Sequence, residues 1–373
     1  VKKKGILAVL SLLLLLTGCW DSRQIEKFSI AIGLGVDKGE GDKKVKLSYQ
    51  ILVPKKIGQN AGSEDPTKVV STSGTTIHQT IRSTALKVFP VFSQHLQVII
   101  FSEKLVSDIA LDALINQFIR DNSLRRSSEV YITPGSPSKL LNIDDSGDPA
   151  SEIIHNVSEN RASTIKLLEP VTLGDISIRM QMGLSFIMPR VVEKGGQIQV
   201  DGGSVIKKNR YYADISSSDI EALNLLIGRV NGGVIDSRHK GHLFSYEIFS
   251  MNHRIHTTRK NGKYKFDIHS EIKGRLSEDW YRSEDSFNES YINAIEKAIE
   301  KDIHQRVSRL LHRLQDDLKT DVTKLAEYAR INYPKEWQKD KYRWDEKFSE
   351  ADIDYHIKAI IQDFGTKGAK KKR

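Results

Sequence analysis

Apolar residues recur along this chain with two periods. Alternation and short unbroken apolar runs, the marks of strands, cover Ser29 to Val36, Val45 to Val53, His95 to Phe101 and Glu129 to Thr133. Helical spacing covers Thr75 to Val88, with Ile77, Ile81 and Leu86 on one side and Thr76 as the cap. It returns after Ser102-Glu103, where Leu105, Ile109, Leu111, Leu114, Ile115 and Phe118 predict one helix, and Ser136-Pro137-Ser138 caps a short helix ending near Leu141. Such alternation predicts a mixed α/β layer structure through about residue 145. Pro54 to Lys68 has no apolar period and reads as a loop. The charged, Gly- and Pro-bearing stretch Asp144 to Pro149 is the clearest break.

Beyond it, Ser151 is expected to cap a helix carrying Ile153, Ile154, Val157 and Ile165, and Thr172 to Met182 is a second helical segment. Short strands follow over Leu184 to Val192, Gln197 to Val200, Ser204 to Ile206 and Arg210 to Ile215, then a helix over Asp219 to Ile227. Asn231-Gly232-Gly233 marks a second break. Leu243 to Thr257 and Lys263 to Ile272 alternate around Asn261-Gly262, a strong hairpin signature. From Phe287 to Leu318 the residues Tyr291, Ile295, Ile299, Ile303, Val307, Leu311, Leu314 and Leu318 form a drifting apolar stripe, which predicts a core helix crossing a sheet rather than a coiled coil. A helix over Val322 to Ile331 and a strand over Ile353 to Phe364 complete the pattern.

The fold class expected is therefore α+β. It is a three-domain mixed α/β body with an antiparallel-rich C-terminal sheet packed by a long helix, preceded by a cleaved lipoprotein signal peptide. The segments are 1–18 (signal peptide), 19–145 (N-terminal α/β), 146–230 (middle, helical and β-hairpin), 231–366 (C-terminal α+β) and 367–373 (basic tail).

The signal peptide rests on three features that agree. Lys2, Lys3 and Lys4 precede an apolar run from Ile6 to Leu16, broken only by Ser11. That run is too short to span ~30 Å of hydrocarbon, which takes ~20 helical residues. Leu16-Thr17-Gly18-Cys19 is then a lipobox: small residues admit the backbone to a narrow peptidase cleft, cleavage falls between Gly18 and Cys19, and the Cys19 thiol accepts a diacylglyceryl group. Two acyl chains anchor stably where one binds reversibly. Cys19 is the chain's only cysteine, so its acylation leaves no disulfide, thiolate zinc site or thiol nucleophile.

Charge changes the picture less than it first promises. The 57 Lys and Arg outnumber the 48 Asp and Glu by nine, but three of the basic residues open the chain and five close it. Between them 49 face 48, a near-neutral body, and nucleic acid is not an expected partner.

Chemistry-bearing patterns are few. There is no HExxH, GxSxG, Walker loop or carboxylate-rich calcium loop, and Gly33-Leu34-Gly35 lacks the spacing of a dinucleotide fingerprint. His253 and His256 fall on opposite faces of a strand; His304 and His312 can share a helix face, but neither pair has a third ligand at plausible spacing, so no metal is expected. The neighbours Glu278-Asp279 and Asp316-Asp317 diverge rather than form an acid/base dyad. Arg120, Arg125 and Arg126 near Asp121 read as a structural charge network. The expectation is no enzyme and no cofactor.

Cys19-Trp20-Asp21, Gln24-Ile25-Glu26 and Gly35-Val36-Asp37 resemble the opening of the Ger(x)C spore germination lipoproteins. The resemblance continues through Ser93-Gln94-His95-Leu96, Phe118-Ile119-Arg120-Asp121 with Leu124-Arg125-Arg126, and Asn231-Gly232-Gly233-Val234. It closes on Trp344-Asp345-Glu346-Lys347-Phe348 and Phe364-Gly365-Thr366, and is nearest to the GerAC and GerBC type. Gln24 and Val36 stand where Glu and Ile are common. The resemblance implies the C subunit of a nutrient germinant receptor, acting with integral membrane A and B subunits on the outer surface of the spore inner membrane. It implies no catalysis and no direct nutrient binding by this chain, and its motif residues here are Trp20, Asp21 and Arg125. A substrate-binding lipoprotein of a transporter shares the same N-terminus and is the alternative.

Overall fold

The computed structural model describes residues 28–53, 66–120, 124–143, 147–280 and 288–363. Gly18, Cys19, Trp20, Asp21 and Asp121, most of the loop expected from Pro54, part of the break at Asp144, the closing Phe364-Gly365-Thr366 and the basic tail lie outside them. Among the described residues no helix is long and apolar enough to cross a membrane.

Two sheets organise the described residues. The first takes β1 (Ser29–Lys38), β2 (Val45–Leu52), β3 (Thr67–Gly74), β4 (Val91–Phe92), β5 (Val98–Ser102), β6 (Glu129–Thr133), β7 (Phe186–Lys194), β8 (Gln197–Lys207) and β9 (Arg210–Ile215). Their order is β3-β2-β1-β5-β6-β7-β8-β9, with β4 beside β1. β1, β5, β6 and β7 run parallel at the centre; β2–β3 and β8–β9 flank them antiparallel. The link between β6 and β7 is one rung, Ile132 with Arg190.

Both faces of the parallel centre are covered, which is why β5 and β6 are buried at every position. On one face Ile99, Phe101, Val130 and Ile132 meet α2 (Glu103–Asp108), α3 (Leu111–Arg120) and α6 (Leu173–Gln181). On the other, Val98, Ile100 and Tyr131 meet α4 (Pro137–Leu141) and α5 (Ala150–Ser158). Gly33 and Gly35 are the seat of those last two helices. A Cβ at Gly35 would stand 2.7 Å from the Pro137 Cβ, and one at Gly33 2.9 Å from the Ser151 Cβ. Gln50 on β2, fully buried, then ties the layers together: its amide donates to the Leu141 carbonyl at 3.0 Å and its oxygen accepts from the Ser151 N–H at 3.0 Å and Oγ at 2.6 Å.

Several elements differ locally from the pattern-based expectation. β3 was hidden in a polar run, TKVVSTSG, whose apolar side chains are only Val69 and Val70, one on each face. The helix α1 (Ile77–Thr84) starts at the Thr76 cap as expected but stops before Leu86, which is 89% exposed. The single helix expected after Ser102 is two, because Ile109 takes an extended conformation at φ −116°, ψ 129°. Ser151 lies inside α5 rather than capping it, its hydroxyl spent on Gln50, and Ile165 lies beyond the helix.

The second sheet has order β10-β11-β12-β13, from β10 (Val234–His239), β11 (His242–Lys260), β12 (Lys263–Asp279) and β13 (Asp352–Asp363). Asn261 and Gly262, at φ 52° and 81°, make the tight turn the sequence predicted. β10, β11 and β12 are antiparallel; β13 joins β12 in parallel after a long helical crossover. Across the inner face lies α8 (Glu289–His312), burying Tyr291, Ile295, Ile299, Ile303 and Val307. The antiparallel-rich sheet under a long helix is thus present. The core it shares reaches back to Ile165 and takes in α7 (Ser217–Leu226), which is buried nearly all round between the two sheets.

α8 also closes the edge of this sheet. Glu300 and Glu296 accept from the Ala359 and Ile361 N–H groups of β13 at 3.0 and 2.7 Å. These edge amides would otherwise be open to another strand. Arg306 of α8 pairs with the buried Glu221 of α7 at 2.5 Å and with Asp302 at 2.7 Å. Three short helices follow, α9 (Leu325–Asn332), α10 (Pro334–Asp340) and α11 (Trp344–Ser349).

Candidate functional site

Two segments with recognisable motifs meet at a cleft of about 530 Å³ beside the start of β1. One is the turn Ser93–Leu96 before β5; the other is the loop carrying Arg125 before β6. In each, an apolar residue is drawn into the core and leaves a polar neighbour outside. Leu96 is buried and its carbonyl takes the Ser128 Oγ hydrogen bond at 2.7 Å, so Gln94 and His95 project. Leu124 packs on the first core, so Arg125 projects.

The cleft floor is apolar, from Ile30, Ile32 and Leu52. Its inner wall is a polar network centred on Glu129, nearly buried at 7% exposure. The Tyr131 hydroxyl donates to the Glu129 carboxylate at 2.7 Å and His155 Nδ1 stands 3.1 Å from it. Burial, reinforced by the Glu129 charge, pushes the Tyr131 hydroxyl far up, so it stays a proton donor. Glu129 is therefore engaged by both partners and held in place. Arg125 and His95 bring donors to the rim.

Of the other residues singled out in the sequence, Arg120 ends α3, and the Arg126 carbonyl accepts from the Gly174 N–H at 2.9 Å, a packing role. His253 and His256 do face opposite sides of β11, His253 half-buried against Ser270 Oγ at 3.1 Å. His304 and His312 both lie exposed on α8. Trp280 Nε1 donates to Glu278 at 2.7 Å, and the Tyr291 hydroxyl donates to Asp279 at 2.8 Å.

Two further motif segments hold the fold. At Gly232, a Cβ would stand 2.4 Å from the Ala162 carbonyl oxygen, so this backbone crossing admits no side chain. Trp344 and Asp345 lock the loop before α9: Trp344 Nε1 donates to Asp321 Oδ2 at 2.6 Å, and Asp345 accepts from the Asp321 N–H at 3.0 Å and Ser185 Oγ at 2.7 Å.

Comparison with known proteins decides what this architecture belongs to. Residues 21–193 match the family described as "Spore germination protein N-terminal domain", and residues 201–365 match "Spore germination B3/ GerAC like, C-terminal". The chain belongs to the GerAC-like spore germination family. It is 48% identical over 373 residues to spore germination protein A3 of Bacillus subtilis (strain 168), covering 99% of this chain and 100% of that protein. It is 34% identical over 365 residues to spore germination protein B3 of the same organism, covering 96% of each. The crystal structure of the GerBC protein superposes with a TM-score of 0.63 at 29% identity, covering 92% of this chain and all of that one. The GerAC-like fold is thus the mixed α/β arrangement of two sheets described above, and the resemblance read from the Ger(x)C motifs holds over the whole matched length.

Sequence reasoning passed over three residues that the second sheet brings together: Asp267, His269 and His356. The two histidines lie on strands separated by the whole helical crossover, and only the parallel register of β12 with β13 pairs them. No local spacing carries that signal.

Proposed function

We propose that this chain is the membrane-anchored lipoprotein subunit of a spore nutrient germinant receptor, a non-enzymatic partner of integral membrane A and B subunits. The observation that carries the reading is the end-to-end match to spore germination proteins, at 48% identity over essentially the full length of A3. Cys19, carrying diacylglycerol after cleavage at Gly18, is the anchor, on the outer face of the cytoplasmic membrane that becomes the spore inner membrane. Cys19 begins the mature chain, Trp20 and Asp21 follow it, and Ser29 opens β1 about ten residues on, a reach of at most ~35 Å. The cleft beside β1, with His95 and Arg125 at its rim, is therefore a surface that membrane-embedded partners can meet.

The alternative, a transporter's substrate-binding lipoprotein, is built on two doubly wound lobes about a hinge. Only the first sheet here has a parallel centre, and the second is largely antiparallel under one helix, so the architecture lends that reading no support. The test is isolation of the chain from spore membranes. Co-purification of A- and B-type membrane subunits, lost together with membrane retention and nutrient response in Cys19→Ala, is the expected result. Full membrane fractionation and normal germination of Cys19→Ala, or purification without those partners, would sink the proposal.

A further inference from the structure

We propose that Asp267, His269 and His356 bind a divalent transition-metal ion of the zinc class on the outer face of the second sheet. The parallel register of β12 and β13 sets up the place. The rungs Lys265–Asp352 and Glu271–Lys358 pair opposite charges, but the two rungs between them, Asp267–Asp354 and His269–His356, pair like with like. Like charges directly opposite on a sheet are disfavoured, so the Asp267–Asp354 rung needs a cation nearby. Lys265 takes up Asp354 at 2.8 Å, which leaves Asp267 facing two imidazoles.

The geometry there is that of a ligand set. His269 Nε2 and His356 Nε2 stand 3.0 and 3.2 Å from the same oxygen, Asp267 Oδ1. The two rings lie nearly parallel, 18° apart with centroids at 4.7 Å, so their nitrogens reach the same side. Two ligand atoms on a tetrahedral ion with bonds near 2.0 Å are ~3.3 Å apart, close to both separations. A pair of ordinary hydrogen bonds does not account for the contact. Asp267 Oδ1 is enclosed, yet neither imidazole is aligned to donate to it, and among the described residues it has no hydrogen-bond partner. An enclosed carboxylate oxygen without a donor is rare in native proteins and asks for a cation.

Imidazole with carboxylate selects zinc, nickel or copper over magnesium and calcium, which prefer all-oxygen shells. The backbone under the ligands is a continuous ladder, which fixes their spacing better than a loop would. Both histidines are more than half exposed, so at least one coordination position opens to solvent. On β11, His256 stands opposite Asp267 and Arg254 opposite His269 in the register.

Calorimetric titration of the untagged mature protein with Zn²⁺, and with Co²⁺ followed by its visible absorption, tests the site. The expected result is one saturable site in the micromolar range, weakened at least tenfold by His269→Ala, by His356→Ala and by Asp267→Asn, with the Co²⁺ band lost in the double histidine variant. Because these positions face solvent, the variants keep the parent's circular dichroism and melting temperature in the absence of metal. Absence of saturable binding below ~1 mM, binding indifferent to these substitutions, or equal affinity for Mg²⁺ would each overturn the proposal.

Discussion

Replacing Trp344 with phenylalanine removes one donor while keeping an aromatic ring, and so isolates the bond that holds the loop before α9. Trp344 is 2% exposed and packs on Tyr264 and Trp337 with ring centroids at 5.3 and 5.2 Å. Its Nε1 gives the Asp321 carboxylate one of four hydrogen bonds; the others come from Thr323 N–H and Oγ1, both at 2.7 Å, and the Ala326 N–H at 3.1 Å. Burial pushes the Asp321 carboxyl up, and these donors oppose it, so taking one away leaves a buried oxygen poorly solvated. A hydrogen bond to a charged group is worth about 1.5–3 kcal/mol, and trimming the indole to a phenyl ring adds about 1 kcal/mol. The expected loss is about 2.5–4 kcal/mol in urea unfolding followed by far-UV circular dichroism. Asp321→Asn presents an amide in place of one carboxylate oxygen, so in that background Trp344→Phe should cost only the packing part. The cycle should give a coupling of about 1.5–3 kcal/mol. A Trp344→Phe loss below about 0.5 kcal/mol, or strict additivity with Asp321→Asn, would refute the reasoning.

Arg306→Met strands Glu221, whose side chain is 3% exposed, and should cost about 3–5 kcal/mol in the same unfolding assay, with most of it recovered in the Arg306→Met, Glu221→Leu double variant. Glu296→Ala with Glu300→Ala uncovers two amides on the β13 edge and should give concentration-dependent self-association in sedimentation velocity where the parent stays unassociated. His253 is held below its ordinary pKa of 6.5 by burial, so the unfolded chain takes up the proton first as the pH falls. Its contribution is therefore present above pH 6.5 and lost as the pH drops through the lower folded value; melting temperature against pH should fall off less steeply in His253→Gln. Gly35→Val drives a branched side chain into Pro137 and should cost about 1–3 kcal/mol or prevent folding, whereas the same change at the solvent-facing Gly41 position, which has φ 59°, should cost only backbone strain.

What the sequence revealed and what it hid divide by range. Signals read within a few residues held: the Asn261-Gly262 turn, the Thr76 cap, and the helical segment from Thr172, seen as α6. So did the stripe of α8, because a helix buried along one side must repeat its apolar positions. Elements settled by distant partners did not show. β3 is a strand because β2 offers it an edge, and Ile109 leaves the helix without a Gly or Pro to announce it. The cleft was half legible. Arg125 and His95 sit in motifs that can be read, while Glu129 looks like any strand residue until Tyr131 and His155 close on it. Gly33-Leu34-Gly35 lacks the spacing of a nucleotide fingerprint, but its purpose, admitting α4 and α5 to the sheet, needed both helices in place.

The parallel pairing of β12 with β13 also governs the order in which the molecule is able to fold. β12 can zip onto β11 through its two-residue turn as soon as both have been made, yet its other edge waits for the entire crossover of α8 to α11. Until then a seventeen-residue strand presents an open row of amides and carbonyls. Pairings that span so much sequence form late and slowly. A chain emerging vectorially through a narrow passage must therefore carry an adhesive edge for as long as the crossover and β13, residues 280–363, take to arrive. Premature termination inside the crossover leaves that edge permanently unsatisfied, and such fragments are expected to aggregate rather than persist as a smaller folded protein.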